Sequence, residues 1–303
     1  MFKRILIPVD GSTRGMEAVE FARSLAQASQ ASLTLLHVEP WGALVESLRH
    51  GHVDLDALVE RLRADGVDAH AIMRFDDPED GIAVTAMLEK AELIVLAPHL
   101  REGLDALRHP SVTARMLTGS PAPLLIFPDA LPYIGVKALL ADPASSILVP
   151  LDGSERAEAE LPLAMDLARF YGRELLLVRA ATPPAYVTGT EMYIPSVDYA
   201  IAYRQESERY LEEIAARVRS AGLRVRTLVL AGPPEAELIA LLATEPIGLV
   251  ILSTHGRTGA ARLLLGSVAR HLIYHATTPL IVLPPRYLAM RGAPMDAQEA
   301  PAH

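Results

Sequence analysis

The residues best suited to chemistry lie in one stretch, "STHGRTGAARLLLGSVARHLI", from Ser253 to Ile273. Gly256, Gly259, Gly266 and Ser267 fall between an apolar run and a second run of helical periodicity. Glycine lets a backbone come close to a ligand or take positive φ. A helix start carries unpaired amides and a positive dipole end, so Gly266–Ser267 is a seat for phosphate, with Ser267 adding a hydroxyl. Arg257, Arg262 and Arg270 are candidates for added positive charge. A second stretch, "PLDGS" at Pro150–Ser154, sets Asp152 directly after an apolar run. A carboxylate there accepts hydrogen bonds from a ribose hydroxyl or a base amine, or caps the amides beside it. Gly-rich turns and a capping Ser267 need no ligand at all, and residue types alone leave both readings open.

Other chemistry finds less support. His255, His271 and His275 lack acidic or cysteine partners at metal-binding spacing, and no "HExxH" occurs. There is no cysteine, hence no disulfide, thiolate nucleophile or cysteine-held zinc. Phosphate-loop "GxxxxGK[ST]" and nucleophile "GxSxG" motifs are absent, and the dinucleotide glycine fingerprint is missing after the first strand. No motif supplies a nucleophile together with a base, so no catalytic residue is assigned.

Composition sets the frame. Half the 303 residues are apolar and 21% are charged, enough to bury real cores, and the length suggests two domains. A net charge of -9 argues against a nucleic-acid surface. The start "MFKRILIPVDGS" has no signal-peptide pattern, and no apolar run is long enough to span a membrane. A soluble cytoplasmic protein is expected, with neither nucleic acid nor membrane as partner.

The chain is one unit written twice. "ILIPVDGSTR" (Ile5–Arg14) returns as "ILVPLDGSER" (Ile147–Arg156), 142 positions on. "AELIVLAPH" and "SPAPLLIFP" return as "PIGLVILSTH" and "ATTPLIVLP", 156 positions on. The second unit therefore carries 14 extra residues midway. Short Val/Ile/Leu runs read as buried parallel strands near 3–9, 32–38, 67–73, 92–97 and 123–127, then near 145–150, 174–180, 223–230, 247–252 and 279–283. Amphipathic runs between them read as crossover helices. The fold class is α/β: two tandem open parallel five-stranded sheets with helices on both faces. Units at 1–128 and 145–285 are joined by a Pro-containing linker, 129–144, and followed by a tail, 286–303, expected to be flexible. In such sheets ligands bind beyond the carboxyl ends of strands, where strand order reverses. That rule gathers "PLDGS", Arg179–Ala181 and "STHGRTG".

At this point the sequence resembles the universal stress protein family in its tandem form. "ILVPLDGSERAEAELPLAMDLAR" and "GLVILSTHGRTGAARLLLGSVARHLIYHATTPLIVLP" carry the resemblance. ATP-binding members have Gly, two residues, Gly, nine residues, then Gly and Ser or Thr. Gly256, Gly266 and Ser267 match, whereas Ser253 replaces the first glycine, a costly change if that residue needs positive φ. The resemblance implies an adenine nucleotide, ATP first, with or without Mg²⁺. Pro150 and Ala180 would line adenine, Asp152 would lie near adenosine, and Gly256, Gly266 and Ser267 would hold phosphates.

The first unit keeps Asp10 and Ser111 but has Ala97, Leu100 and Pro110 at the other motif positions, with Asp76 and Asp77 adding negative charge. At most one nucleotide per chain is expected, in the second unit, with the first as a scaffold. The family also implies pairing of last strands, Leu124–Phe127 against Leu280–Leu283, which would cover two apolar edges. A homodimer through "AYVTGTEMYIPSVDYAIAYRQE", read as a tyrosine-rich loop, is a further expectation, and its tyrosines equally suit covering their own domain or the adenine mouth. The implied function is a nucleotide-responsive regulatory or protective stress protein. A nucleotide-free interaction module is the alternative, and a slow ATP hydrolase ranks lower because no general base appears beyond Asp152. A ligase-like relative would need an "SGGxDS" loop, which is absent.

Overall fold

The computed structural model describes residues 1–40, 54–97, 111–127, 142, 144–181, 186–188, 191–193, 196–254 and 265–292. In the first unit, β1 (Arg4–Pro8), α1 (Thr13–Ser29), β2 (Ser32–Glu39), α2 (Leu55–Ala64), β3 (Ala69–Phe75), α3 (Pro78–Leu88), β4 (Leu93–Leu96), α4 (Val112–Gly119) and β5 (Leu124–Ile126) follow in order. The second unit repeats the pattern. It runs β6 (Ser146–Pro150), a short α5 (Glu155–Glu158), α6 (Leu161–Tyr171), β7 (Leu175–Ala180), a small hairpin of β8 (Tyr186–Thr188) and β9 (Glu191–Tyr193), and α7 (Val197–Ser220). Then come β10 (Val225–Leu230), α8 (Pro234–Thr244), β11 (Ile247–Ser253), α9 (Ser267–His275), β12 (Leu280–Leu283) and α10 (Pro285–Met290). The α/β class expected from the alternating runs is the architecture observed.

Strands are near-continuous apolar runs because both faces are covered. Ile5 and Ile7 enter one core with Val19, Leu25, Leu58 and Leu62 of α1 and α2. Leu6, between them, enters the opposite core with Ile82 of α3 and Met116 of α4. Ile147 and Val149 split from Leu148 in the same way, with α6 and α7 on one face and α8 and α9 on the other. Alternation along each strand thus assigns every helix to a face.

Ten strands form one sheet in the order β10-β7-β6-β11-β12-β5-β4-β1-β2-β3. Pairing is parallel within each unit. β5 and β12 meet antiparallel, with Leu125 opposite Ile281. Strand order reverses between β1 and β4 in one unit and between β6 and β11 in the other.

Two local expectations need correction. The tyrosine-rich stretch is not simply a loop: it holds β8 and β9, and α7 begins at Val197. Ser196 starts that helix by accepting the Tyr199 amide, and neither Gly nor Pro interrupts the helix to Ser220. The segment from 286 begins as part of α10, with Leu288 buried and Arg286 donating to the Gly119 carbonyl at 3.0 Å. Pro285 suits a first helical turn, which lacks intrahelical amide bonds anyway. Of the linker 129–144, only residues 142 and 144 are described.

Candidate functional site

The second unit has a cavity of about 280 Å³ at the carboxyl ends of β7, β6 and β11, across the reversal of strand order. It brings together Pro150, Asp152, Ala180, Ser253, Gly266 and Ser267. Gly256 and Gly259 lie outside the described residues, as do His255, Arg257 and Arg262. Asp152 Oδ1 accepts from the Ser154 amide at 2.9 Å and its hydroxyl at 2.6 Å, so the carboxylate organises its own turn. Ser154 in turn caps α5 by accepting from Ala157 at 3.2 Å. Gly153 has φ +86, which favours glycine and lets the chain turn sharply from β6 into α5.

The head of α9 differs from expectation in two ways. Gly266, with φ -54 and ψ 149, is the cap residue, and Ser267 is the first helical residue rather than the cap. The Gly266 amide is not free: it donates to the Thr254 carbonyl at 2.7 Å. The available donors begin one residue later. No side chain caps the helix, and the amides of Ser267, Val268 and Ala269 have no partner among the described residues. All three residues line the cavity. This is the arrangement that accepts an anion, since amides and dipole point the same way. Arg270 is exposed and does not line the cavity.

Ser253 ends β11 and is absent from the residues with positive φ, so replacing glycine there incurs no backbone penalty. Its amide donates to Glu160 Oε1, and its hydroxyl also bonds that carboxyl. Glu160 is 1% exposed, lines the cavity, and has its Oε2 buried without a hydrogen-bond partner. Burial pushes its carboxyl well above the usual range; Ser253 pulls it partly back, and the Asp152 charge pushes it up again. Motif reading missed Glu160. The available signal was in the repeat: at the matching position the first unit has Ala18.

Two further lining residues have a place but no individual role from the sequence, Arg179 by the strand-end rule and Tyr203 as one of the tyrosines suited to the adenine mouth. Arg179 is 5% exposed at the end of β7, where the first unit has His37. Its guanidinium stacks 4.8 Å from the Tyr210 ring and 5.9 Å from that of Tyr203, both on α7. Tyr203 also lines the cavity, so the helix that carries it closes the β7 end of the crevice.

The matching crevice of the first unit is larger, about 510 Å³, but differently lined. Glu39 and Glu79 face it along with Asp10, His37 and Arg115. Glu79 is ion-paired to Arg115, and His37 is held between the Val9 carbonyl at 2.7 Å and Glu39 at 2.9 Å. Asp76 and Asp77, expected as the repelling carboxylates, do not line it; Asp76 lies 3.5 Å from Arg74. Ser111 folds its hydroxyl back onto the Ala114 amide at 3.2 Å and so occupies one donor at the head of α4. Ala97 lines this crevice, and Leu100 and Pro110 lie outside the described residues.

The His271 and His275 rings meet tilted, with centroids 4.5 Å apart, and no cluster of metal-binding side chains occurs among the described residues. No described helix is long and apolar enough to cross a membrane.

Comparison with known proteins agrees with the doubled architecture. A family model described as the universal stress protein family matches residues 1–128 and 144–284. The universal stress protein Rv2005c of Mycobacterium tuberculosis is 28% identical over 305 residues, covering 92% of this chain and 96% of that protein. Among solved structures, a universal stress protein from Archaeoglobus fulgidus superposes with a TM-score of 0.68 at 18% identity, over 93% of this chain and 98% of the other. A functionally unknown protein, PA1789 of Pseudomonas aeruginosa, gives 0.66 at 18% identity, over 96% and 95%.

Proposed function

The chain belongs to the universal stress protein family, in its tandem form, and from that premise we propose that its second unit binds an adenine nucleotide, ATP first. Binding makes the protein a nucleotide-responsive regulatory or protective module. The observation that carries this reading is the uncapped head of α9, whose donors from Ser267 onward line the same cavity as Asp152, Pro150 and Ala180. In this reading adenine lies at the β7 end, against Pro150 and Ala180. The ribose lies by Asp152 and the phosphates reach Ser267–Ala269. Gly256 and Gly259 complete the phosphate loop by family pattern. The donor set is chemically suited to phosphate, being backbone amides at a positive helix end. Binding needs no metal side chain from this cavity.

The first unit serves as scaffold. Ser111 takes up one donor of its helix head, and its crevice presents Glu39 and Glu79 where an anion would have to enter. The units are taken as 1–128 and 145–285, acting inside the cell as one nucleotide-responsive pair.

The test is a thermal shift with ATP, with and without Mg²⁺, on the full chain. Ligand in large excess over its dissociation constant stabilises by about 3–4 kcal/mol. Gly266→Glu places a carboxylate at the donors, and any residue adopts φ -54, so the variant folds but loses the shift. An unchanged melting temperature with ATP, ADP, AMP and cyclic AMP would leave the nucleotide-free interaction module as the reading.

A further inference from the structure

Glu160 is an acid in an unusual place. It lies at the junction of α5 and α6, its carboxyl pressed under the end of β11. Among the described residues, the polar groups that face it are these. Ser253 of β11 donates to it, Asp152 after β6 repels its charged form, and Arg179 of β7 and Tyr203 of α7 share its cavity. The arginine stacks on Tyr203 and Tyr210 and forms no ion pair with Glu160. Oε1 is therefore committed to Ser253, while Oε2 is buried, unpartnered and part of a residue that lines the cavity. An orphaned buried carboxyl oxygen is costly, and with no partner among the described residues it marks a place where a ligand can supply one.

The sheet order locates that partner. Along the crevice the strand ends run β7, β6, β11, and Glu160 bridges the last two by touching Ser253 and sensing Asp152. It therefore sits between the carboxylate proposed for the ribose and the helix head proposed for the phosphates.

We infer that Glu160 is a specificity-determining residue of the second unit, present as a neutral acid that donates a hydrogen bond from Oε2 to an acceptor oxygen at the ribose–phosphate junction of the nucleotide. This rests on the nucleotide reading above. The two departures from the first unit then belong together: Ser253 holds one oxygen and leaves the other unpaired beside the cavity, and Ala18 and Ala97 occupy both positions in the first unit. Ionisation removes the donor and brings a negative charge towards the phosphate, so ligand binding is coupled to proton retention.

The experiment is calorimetric titration of the full chain with ATP and with adenosine, from mildly acidic to alkaline pH, in wild type, Glu160→Gln and Glu160→Ala. Glutamine keeps a carbonyl for Ser253 and an amide donor for the ligand, and cannot titrate. Wild-type ATP affinity is expected to fall about tenfold per pH unit once Glu160 ionises. Glu160→Gln should match wild type in acid and bind more tightly in alkali. Titration of the nucleotide's own phosphate is common to both proteins, so it cancels in the comparison. Glu160→Ala should bind ATP weakly across the range. Adenosine should show a smaller pH effect than ATP. Parallel wild-type and Glu160→Gln curves, with ATP still bound, overturn the role of Glu160 and leave the nucleotide reading intact. Absence of binding in all three proteins at every pH overturns both.

Discussion

Ser111 caps its helix, and Ser267, its counterpart in the second unit, does not. The Ser111 hydroxyl accepts the Ala114 amide, whereas α9 is capped by Gly266 and has no side-chain acceptor at its head. The same serine in two copies of one motif thus caps one helix and leaves the other without a side-chain cap. Stability should report the difference. Ser111→Ala removes a cap and is expected to cost about 1 kcal/mol in denaturant unfolding, with no change in nucleotide response. Ser267→Ala should leave ligand-free stability within about 0.5 kcal/mol of wild type, because its hydroxyl caps nothing, yet weaken the response to ATP.

Glu160 makes stability depend on pH in a calculable direction. Its folded carboxyl holds its proton above the ordinary glutamate value of 4.5, mainly through burial. Stability from this group is complete below that ordinary value, where folded and unfolded chains are both protonated. It is lost as pH rises from there through the folded value, because only the unfolded chain then releases the proton freely. Glu160→Gln should therefore unfold at the same denaturant concentration as wild type in acid, and at a higher one in alkali. Equal midpoints at both ends would mean that the carboxyl is not held neutral.

Gly153 turns the chain at φ +86, and a Cβ there would lie 3.6 Å from the Arg179 guanidinium, an ordinary contact. Gly153→Ala therefore strains the backbone without displacing Arg179 from Tyr210. The expected loss is roughly 1–2 kcal/mol, read by chemical unfolding. A larger loss accompanied by altered tyrosine fluorescence would show that the arginine stack moves as well.

Much of this architecture was legible because each strand is buried on both faces and the pattern occurs twice. β1 and β6, and β4 and β11, announce themselves as "ILIP" and "ILVP", "LIVL" and "LVIL". Asp152, Ser253 and Gly266 were singled out by family spacing, and one cavity gathers them with Pro150 and Ala180. Glu160 was not, because an acid in an amphipathic run reads as a solvated residue until burial is known. The strand-end rule placed Arg179 but not its burial: an arginine there ordinarily reaches water, and here α7 lays two tyrosines over it. The cap register at α9 was lost to a single residue, the distance between a serine that caps and one that begins the helix.

The seam between the units is the last place where a single residue decides the outcome. Leu125 and Ile281 face each other across the antiparallel β5–β12 pair, 2% and 3% exposed. Their neighbours Leu124 and Val282 are fully buried, so the seam continues the core rather than capping it. An aspartate at Ile281 meets only apolar groups and backbone already committed to the ladder, and an unpaired buried charge is among the few substitutions that exceed about 4 kcal/mol. The wild-type chain is expected to unfold in one calorimetric transition, because neither sheet edge can open without exposing the other. Ile281→Asp should split this into two transitions, the lower belonging to the unit that carries the charge. Ile281→Val keeps the seam apolar and should lower the single transition by only about 1 kcal/mol. If Ile281→Asp still melted as one unit, the seam would not be what couples the halves.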